Sequence, residues 1–282
     1  MIQKCLIVLM FPLFVSGQSP GGNEQLILEQ MMTACANLKS ASFILETTER
    51  VKNGNVEQGE ILVKLQRQPL KMYLHMFAPR KGVEILYRNG ELNNDLYISP
   101  HSFTYVNLKL SPNSMLVRES SHHTVLDIGF DYLSKMIGHY KSIFGNRLYD
   151  YLHITDTVQF ELHRCVRMEF DYPLFTYVMQ TVKAGQNLVD LASCYFVNEY
   201  MMVCANQEVD DIYDVKAGQQ VKVPTMFGKK IIFLIDLSTK LPLVQEIHDE
   251  KGFFEKYEYK SFVFNPSFSP AEFTADYSGY GF

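Results

Sequence analysis

The sequence predicts an α+β protein: a curved antiparallel sheet packed with helices, carrying a small inserted β-α-α-β unit. Three observations predict this. Most of the chain alternates apolar and polar residues with a period of two, and only two long stretches return apolar residues every three or four positions. The period-two stretches follow one another through short turn-forming clusters, the pattern of sequential antiparallel strands. The pentapeptide Val-Lys-Ala-Gly-Gln occurs twice, at 182–186 and 215–219, and brackets a short region whose period becomes helical.

The N-terminus reads as an export signal over residues 1–17. Lys4 supplies a positive charge, Cys5 to Val15 is apolar apart from Pro12, and Val15-Ser16-Gly17 suits cleavage before Gln18. The apolar run is too short for a permanent membrane anchor. Residues 23–39 predict a helix, with Leu28, Met31, Met32, Cys35 and Leu38 on one face. From Ser42 the period is two: Ile61, Val63 and Leu65 alternate with polar or outward positions, as do Met72, Leu74 and Met76, then Val83, Ile85 and Tyr87. Asn53-Gly54 and Asn89-Gly90 are hairpin signals. Several of these strands are apolar on both faces, as expected of a sheet that lies against helices or curls round an apolar interior.

Residues 128–144 predict a second amphipathic helix, with Tyr132, Met136, Ile137, Tyr140 and Ile143 inward. Strand rhythm resumes over 158–170, where Val158, Phe160 and Leu162 alternate, and again at 229–236, 243–248 and 253–264. The aromatic residues Phe253, Phe254, Tyr257, Tyr259, Phe262, Phe264, Phe268 and Phe273 read as an ordinary packed core in preference to a ligand cavity.

Bulk properties exclude several classes. With 282 residues, 47% hydrophobic content and a net charge of −5, the chain is long enough for a sizeable core. It has no basic stripe of the kind nucleic acid requires. Four cysteines follow the signal (Cys35, Cys165, Cys194 and Cys204), too few for a disulfide scaffold and without zinc spacing. No cofactor motif is present: one Gly per pentapeptide is far from a phosphate-binding loop. Nor does a nucleophile elbow or a zinc-protease helix motif occur in a fitting context. His122 and His123, adjacent on an extended segment, read as a solvated pair pointing to opposite faces. Glu208, Asp210, Asp211 and Asp214 read as a hydrated acidic loop.

Between the two pentapeptides, Leu188, Leu191 and Ala192 form one apolar stripe, and Tyr200, Met201, Cys204 and Ala205 another. Asn187 and Asn198 stand where helix caps are expected. Cys194 and Cys204 fall too far apart on antiparallel helices for a disulfide. Tyr177-Val178, Val182-Lys-Ala-Gly185, Leu188, Leu191-Ala192, Tyr195 and Val197-Asn198 continue with Ala205-Asn206, Val209, Val215 to Gln219, Val221, Val223 and Pro224. With these residues, 176–224 resembles a LysM domain, which makes the two pentapeptides the ends of one module. The resemblance implies binding of peptidoglycan or another N-acetylglucosamine-containing glycan. The implied groove lies between Gly185, Gln186, Asn187 and Leu188 on one side and Asn206, Gln207 and Val209 on the other. Gln186-Asn187 stands where many such modules have Asp-Thr.

The remaining chain, residues 22–175 and 225–282, carries Phe77-Ala-Pro-Arg-Lys-Gly-Val-Glu-Ile-Leu-Tyr87 and Ile128-Gly129-Phe130. Near its end come Ile235-Asp236, Leu241-Pro242, Asp249, Gly252, Phe254-Glu-Lys-Tyr-Glu-Tyr259 and Asn265-Pro266. These resemble domain-of-unknown-function family 1571 of secreted bacterial proteins. The closing strand–turn–strand run is also similar to carriers of the LolA type, which implies an incomplete barrel with an apolar concavity. The expectation is therefore a periplasmic or secreted, non-enzymatic envelope protein that binds peptidoglycan through the small unit. The alternative is a carrier of an apolar ligand, lipid or lipoprotein in which the small unit is scaffold. A hydrolase of wall glycan is a third reading without a motif to support it.

Overall fold

The structure, a computed structural model, describes residues 22–101, 106–118 and 121–282. The export signal predicted at 1–17 lies outside the described residues.

Helix α1 (Gly22–Asn37) buries Leu28, Met31 and Cys35, the stripe expected from the sequence. It leads into β1 (Ser40–Arg50), β2 (Val56–Arg67), β3 (Leu70–Ala78), β4 (Glu84–Arg88), β5 (Leu96–Ser99) and β6 (Leu108–Leu110). These form an antiparallel meander, each strand pairing with the next. The turn at Asn53-Gly54 closes the first hairpin, with Gly54 at φ 88°. The Asn89-Gly90 signal also precedes a strand pairing, but through a longer link over 89–95 that contains a 3-10 turn at Leu92–Asn94.

After the short α2 (Met115–Arg118), helix α3 (Asp131–Phe144) buries Leu133, Met136, Ile137, Tyr140 and Phe144. Ile143, expected inward, is 42% exposed. Phe144, four residues after Tyr140 and seven after Ile137, sits at the centre of the buried stripe, whereas Ile143 lies at its edge. The stretch 158–170 is two strands: β7 (Leu152–Phe160) and β8 (His163–Asp171). Leu162 sits at the hairpin tip, 96% exposed, after Glu161 at φ 47°. An apolar tip residue extended the alternation in the sequence without a buried face beneath it.

Next comes the small unit: β9 (Tyr177–Thr181), α4 (Leu188–Tyr195), α5 (Glu199–Ala205) and β10 (Gln220–Pro224). The chain then returns as β11 (Lys230–Asp236), β12 (Pro242–Asp249) and β13 (Gly252–Phe264). Among the described residues, eleven strands make one sheet in the order β6-β5-β4-β3-β2-β1-β13-β12-β11-β8-β7. All neighbours are antiparallel, and the first and last strands meet at the centre. The sheet is open, with β6 and β7 at its edges. Its inner face packs on α1 and α3 through Phe43, Val63, Leu74, Met136, Met168 and Phe254. On the outer face the C-terminal tail covers Tyr73 and Leu86 with Phe273, Tyr280 and Phe282.

The small unit has its own two-stranded sheet and its own core of Val182, Leu188, Leu191, Val197, Met202, Val209 and Val221. Asn187 and Asn198 cap α4 and α5, as their positions in the sequence predict. Gly185 and Gly218, one from each pentapeptide, take φ 74° and 86°, which only glycine adopts without strain. Val182 and the second pentapeptide exchange backbone bonds: Val182 N donates to Gln219 O and Gly218 N to Val182 O. Helix α5 is apolar on two sides. Met202 and Val203 enter the small core, while Tyr200, Met201 and Cys204, the stripe seen in the sequence, pack on the large one. Cys35 and Cys165 are buried thiols and Cys204 a half-buried one; no disulfide joins Cys204 to Cys194.

Candidate functional site

The inner face of the sheet does not close completely on its helices. A cavity of about 690 Å³ remains between β1–β6, β12, β13, α2, α3 and residues 121–129. The sheet therefore holds a cavity as well as the aromatic core expected from the sequence, with Tyr257 and Tyr259 on its wall.

Strand register sorts the lining by polarity. Ile61, Leu45 and Tyr259 face each other across β2, β1 and β13. Two residues nearer the rim come Gly59, Thr47, Tyr257 and, on β12, Gln245. Two further on, Glu57 is opposite Glu49, and Glu49 is opposite Glu255. All of these line the cavity, because residues two apart on a strand share a face. The wall thus steps from apolar, through neutral polar, to carboxylate. Leu74, Met76, Val83, Ile85, Leu133 and Met136 complete the apolar part.

The carboxylate end is a buried network. Glu255 is fully buried, with Oε2 2.7 Å from His122 Nδ1 and Oε1 3.1 Å from His123 Nε2. Asn198, the cap of α5, donates to Glu255 Oε2 at 3.0 Å, and the Tyr257 hydroxyl lies 3.3 Å from the same oxygen. Tyr257 donates its main hydrogen bond to Glu49, which also accepts from the His122 backbone N–H at 3.4 Å. Burial alone would raise the Glu255 carboxyl; the His123 charge and the hydrogen bonds from both imidazoles hold it down at about 2. Burial likewise opposes a charged His123, but Glu255 pushes it up to about 10. Burial and the two neighbouring carboxylates keep the Tyr257 phenol protonated, so it is a permanent donor. The network is a sealed ion pair at one end of an apolar chamber.

A comparison with protein families gives a match over residues 39–210 to the family described as "Protein of unknown function (DUF1571)". The chain belongs to the DUF1571 family. The match runs from β1 through α5, so it takes in most of the small unit, and it ends before the C-terminal strands. A search of curated proteins returns no match. Among solved structures, this DUF1571 protein is similar to the Mycobacterium tuberculosis lipoprotein LppX, with 9% identity, 88% of this chain and 98% of that one covered, and TM-score 0.43. It is similar to a LolA superfamily protein from Nitrosomonas europaea, with 11% identity, coverage of 90% and 98%, and TM-score 0.34. It is also similar to a DUF1329 family protein from Desulfovibrio piger, with 9% identity, coverage of 92% and 98%, and TM-score 0.35. Likenesses at this level say nothing about a ligand.

The residues that the LysM resemblance implicates lie together on the DUF1571 protein's small unit, and most of their side chains serve the unit itself. Leu188 and Val209 are fully buried in its core. Asn206 is buried: its amide donates to Met202 O at 2.7 Å and Lys222 O at 3.0 Å, and accepts from Lys222 N at 2.8 Å. Asn187 accepts from Asp190 N at 3.0 Å as the α4 cap. Gln186 accepts from Lys183 N at 3.1 Å, closing its own turn beside Gly185. Gln207 is exposed, and its carbonyl accepts from Lys52 Nζ at 3.1 Å.

The His122-His123 pair corrects the reading of a solvated loop. Both imidazoles reach Glu255, because the segment before α3 folds over the cavity and brings them to one carboxylate. Arg118 is likewise sealed between α2 and α5, donating to Glu199 at 2.7 Å and to His122 O at 3.2 Å. The sequence singled out none of Glu49, Glu57, Arg118, Asn198 or Glu255 as a site residue. Among the described residues no three His, Cys, Asp or Glu side chains are set to hold a metal ion, and no helix is long and apolar enough to cross a membrane.

Proposed function

We propose that this protein is an exported, non-enzymatic carrier that holds an apolar or amphiphilic ligand in the cavity of its sheet. One observation carries the reading: about 690 Å³ of space, inside the range of about 300–1,000 Å³ that ligand pockets occupy, walled mainly by apolar side chains and polar at one end. An ordinary core of this size would be close-packed, since empty volume costs stability. The test is titration with an uncharged apolar fluorophore such as N-phenylnaphthylamine. Saturable fluorescence enhancement is expected for the wild type and its loss for Ile61→Trp, which fills the half-buried middle of the cavity wall. Equal enhancement by both proteins would refute the cavity as the binding site. Mass spectrometry of organic extracts of the purified protein then identifies what it carries.

A second reading keeps a glycan for the small unit. It is favoured by the strand–helix–helix–strand order, with a turn glycine in each pentapeptide. In this reading peptidoglycan is held by backbone groups at Gly185 and Asn187 and by the Gln186 and Gln207 amides, on loops that buried Leu188, Asn206 and Val209 support from beneath. The test is sedimentation with insoluble peptidoglycan of the wild type and of Gln186→Ala/Gln207→Ala. That variant spares Asn187 and Asn206, whose amides hold the unit together. Binding lost in the variant supports the reading; no binding by the wild type leaves the unit a scaffold.

A further inference from the structure

We propose that the ligand's polar end is cationic, an alkylammonium-type head held at the carboxylate end of the cavity; this rests on the carrier reading above. The argument starts from register. Glu57, Glu49 and Glu255 are opposite one another on three adjacent strands and line the same cavity. Strands in a sheet lie about 4.8 Å apart, and like charges placed directly opposite destabilise a sheet. Such a row is kept only where something offsets it.

For Glu255 the offset is visible: His123 supplies the positive charge, and His122 and Asn198 supply hydrogen bonds. Glu49 is different. It is buried and receives only neutral donors, the Tyr257 hydroxyl and the His122 N–H. Among the described residues no cation pairs with Glu49 or Glu57. Of the neighbouring cations, Arg50 pairs with Asp249 and Lys52 with Asp210, while Arg80 and Lys81 line the same cavity beyond the end of β3.

The row also has a direction. It runs from exposed Glu57 at the rim, through Glu49, to sealed Glu255. A cationic head entering past the rim meets Glu57 and then Glu49 while its chain lies along Thr47 and Leu45 toward Tyr259. Charge-assisted hydrogen bonds to a carboxylate in a dry wall are stronger than in water. Beyond the rim, where Arg80 and Lys81 also stand, a carboxylate head would instead meet Glu49, a buried like charge with no cationic partner among the described residues. Polar-end selectivity is thus set by Glu49 and Glu57, and chain binding by the apolar strands.

The experiment displaces N-phenylnaphthylamine with dodecylamine, dodecanol and dodecanoate, each below its aggregation limit at neutral pH. The chain is constant, so only the head varies. The amine is expected to bind the wild type at least about tenfold more tightly than the alcohol, the scale of one charge-assisted hydrogen bond, with the carboxylate weakest. Glu57→Gln should narrow the preference for the amine over the alcohol, and Glu49→Gln should narrow it further. Glu57→Lys, a change at an exposed position, should turn the order toward dodecanoate. Equal affinity for the three heads, or preference for dodecanoate by the wild type, overturns the head-group proposal and leaves the carrier reading standing. Displacement of the probe by none of the three refutes both.

Discussion

Replacing Glu255 with glutamine tests whether the sealed ion pair is what fastens the His122-His123 segment before α3 and the small unit to the sheet. The substitution keeps shape and one acceptor oxygen but removes the charge. His123 Nε2 at 3.1 Å then loses its counter-ion, and the Gln amide must face either an imidazole N–H or the Asn198 amide. Removing one partner of a buried pair costs about 3–5 kcal/mol. Gln retains part of the hydrogen bonding, so a loss of about 3 kcal/mol is expected, or a drop in Tm of roughly 6–12 °C at about 2–4 °C per kcal/mol for a chain of this size. The pH dependence is the sharper readout. Glu255 is held at about 2 against an ordinary 4.5, so its contribution is complete above 4.5 and fades as pH falls toward 2. His123 is raised to about 10 from 6.5, so its contribution is complete below 6.5 and fades as pH rises toward 10. Wild-type stability should therefore be highest between about 4.5 and 6.5 and fall on both sides. Thermal melts followed by circular dichroism across pH measure this directly. A Glu255→Gln protein that melts within a degree of the wild type at pH 6, or that keeps the wild-type decline between pH 7 and 10, would refute the reasoning.

Other substitutions probe the surrounding structure. Arg118→Met should cost about 3–5 kcal/mol in urea unfolding, because it strands buried Glu199, whereas Arg118→Met with Glu199→Leu should recover most of that loss. Asn198→Ala removes both the α5 cap and a donor to Glu255, and should cost about 2–3 kcal/mol with earlier proteolytic cleavage within 176–224. Tyr280→Ala removes a ring stacked on Tyr73 at 3.7 Å, together with hydrogen bonds to Lys64 and Glu272; a loss of about 1–2 kcal/mol in the urea midpoint is expected. Gly228→Ala puts a Cβ 2.7 Å from Ile247 Cγ2 and 3.2 Å from His248 O, and should lower Tm by several degrees, since about 1–3 kcal/mol is the usual cost of overpacking.

Much of the fold was legible because local rules decided it. The α1 stripe, the caps Asn187 and Asn198, the hairpin at Asn53-Gly54 and the three C-terminal strands depend on spacing and turn chemistry within a few residues. The failures have local causes too. Leu162 and Ile143 are apolar residues at exposed positions, and periodicity cannot tell an apolar surface residue from a core one. The doubled pentapeptide was informative because a turn glycine at each end of one small unit is a backbone requirement.

The site was not legible for a different reason. Its members, Glu49, Glu57, His123, Asn198 and Glu255, come from separate parts of the chain and meet only through the register β2-β1-β13 and the docking of α5. Glu49 and Glu255 each stand in a strand rich in charged residues, Glu-Thr-Thr-Glu-Arg and Phe-Glu-Lys-Tyr-Glu-Tyr, where alternation cannot separate a solvated glutamate from a buried one. The sequence carries one trace of the difference. Glu255 is followed at every second position by Tyr257 and Tyr259, so a carboxylate occupies the same face as two large aromatics. A carboxylate on an aromatic face is either expelled or supplied with donors. Here it is supplied: two histidines reach it from the segment before α3, which lines the cavity through His123, and an asparagine reaches it from the cap of α5. The groups that offset the Glu255 charge are therefore the same groups that hold α5 and the segment before α3 in place, which is why the pH profile of folding and the closure of the cavity should change together.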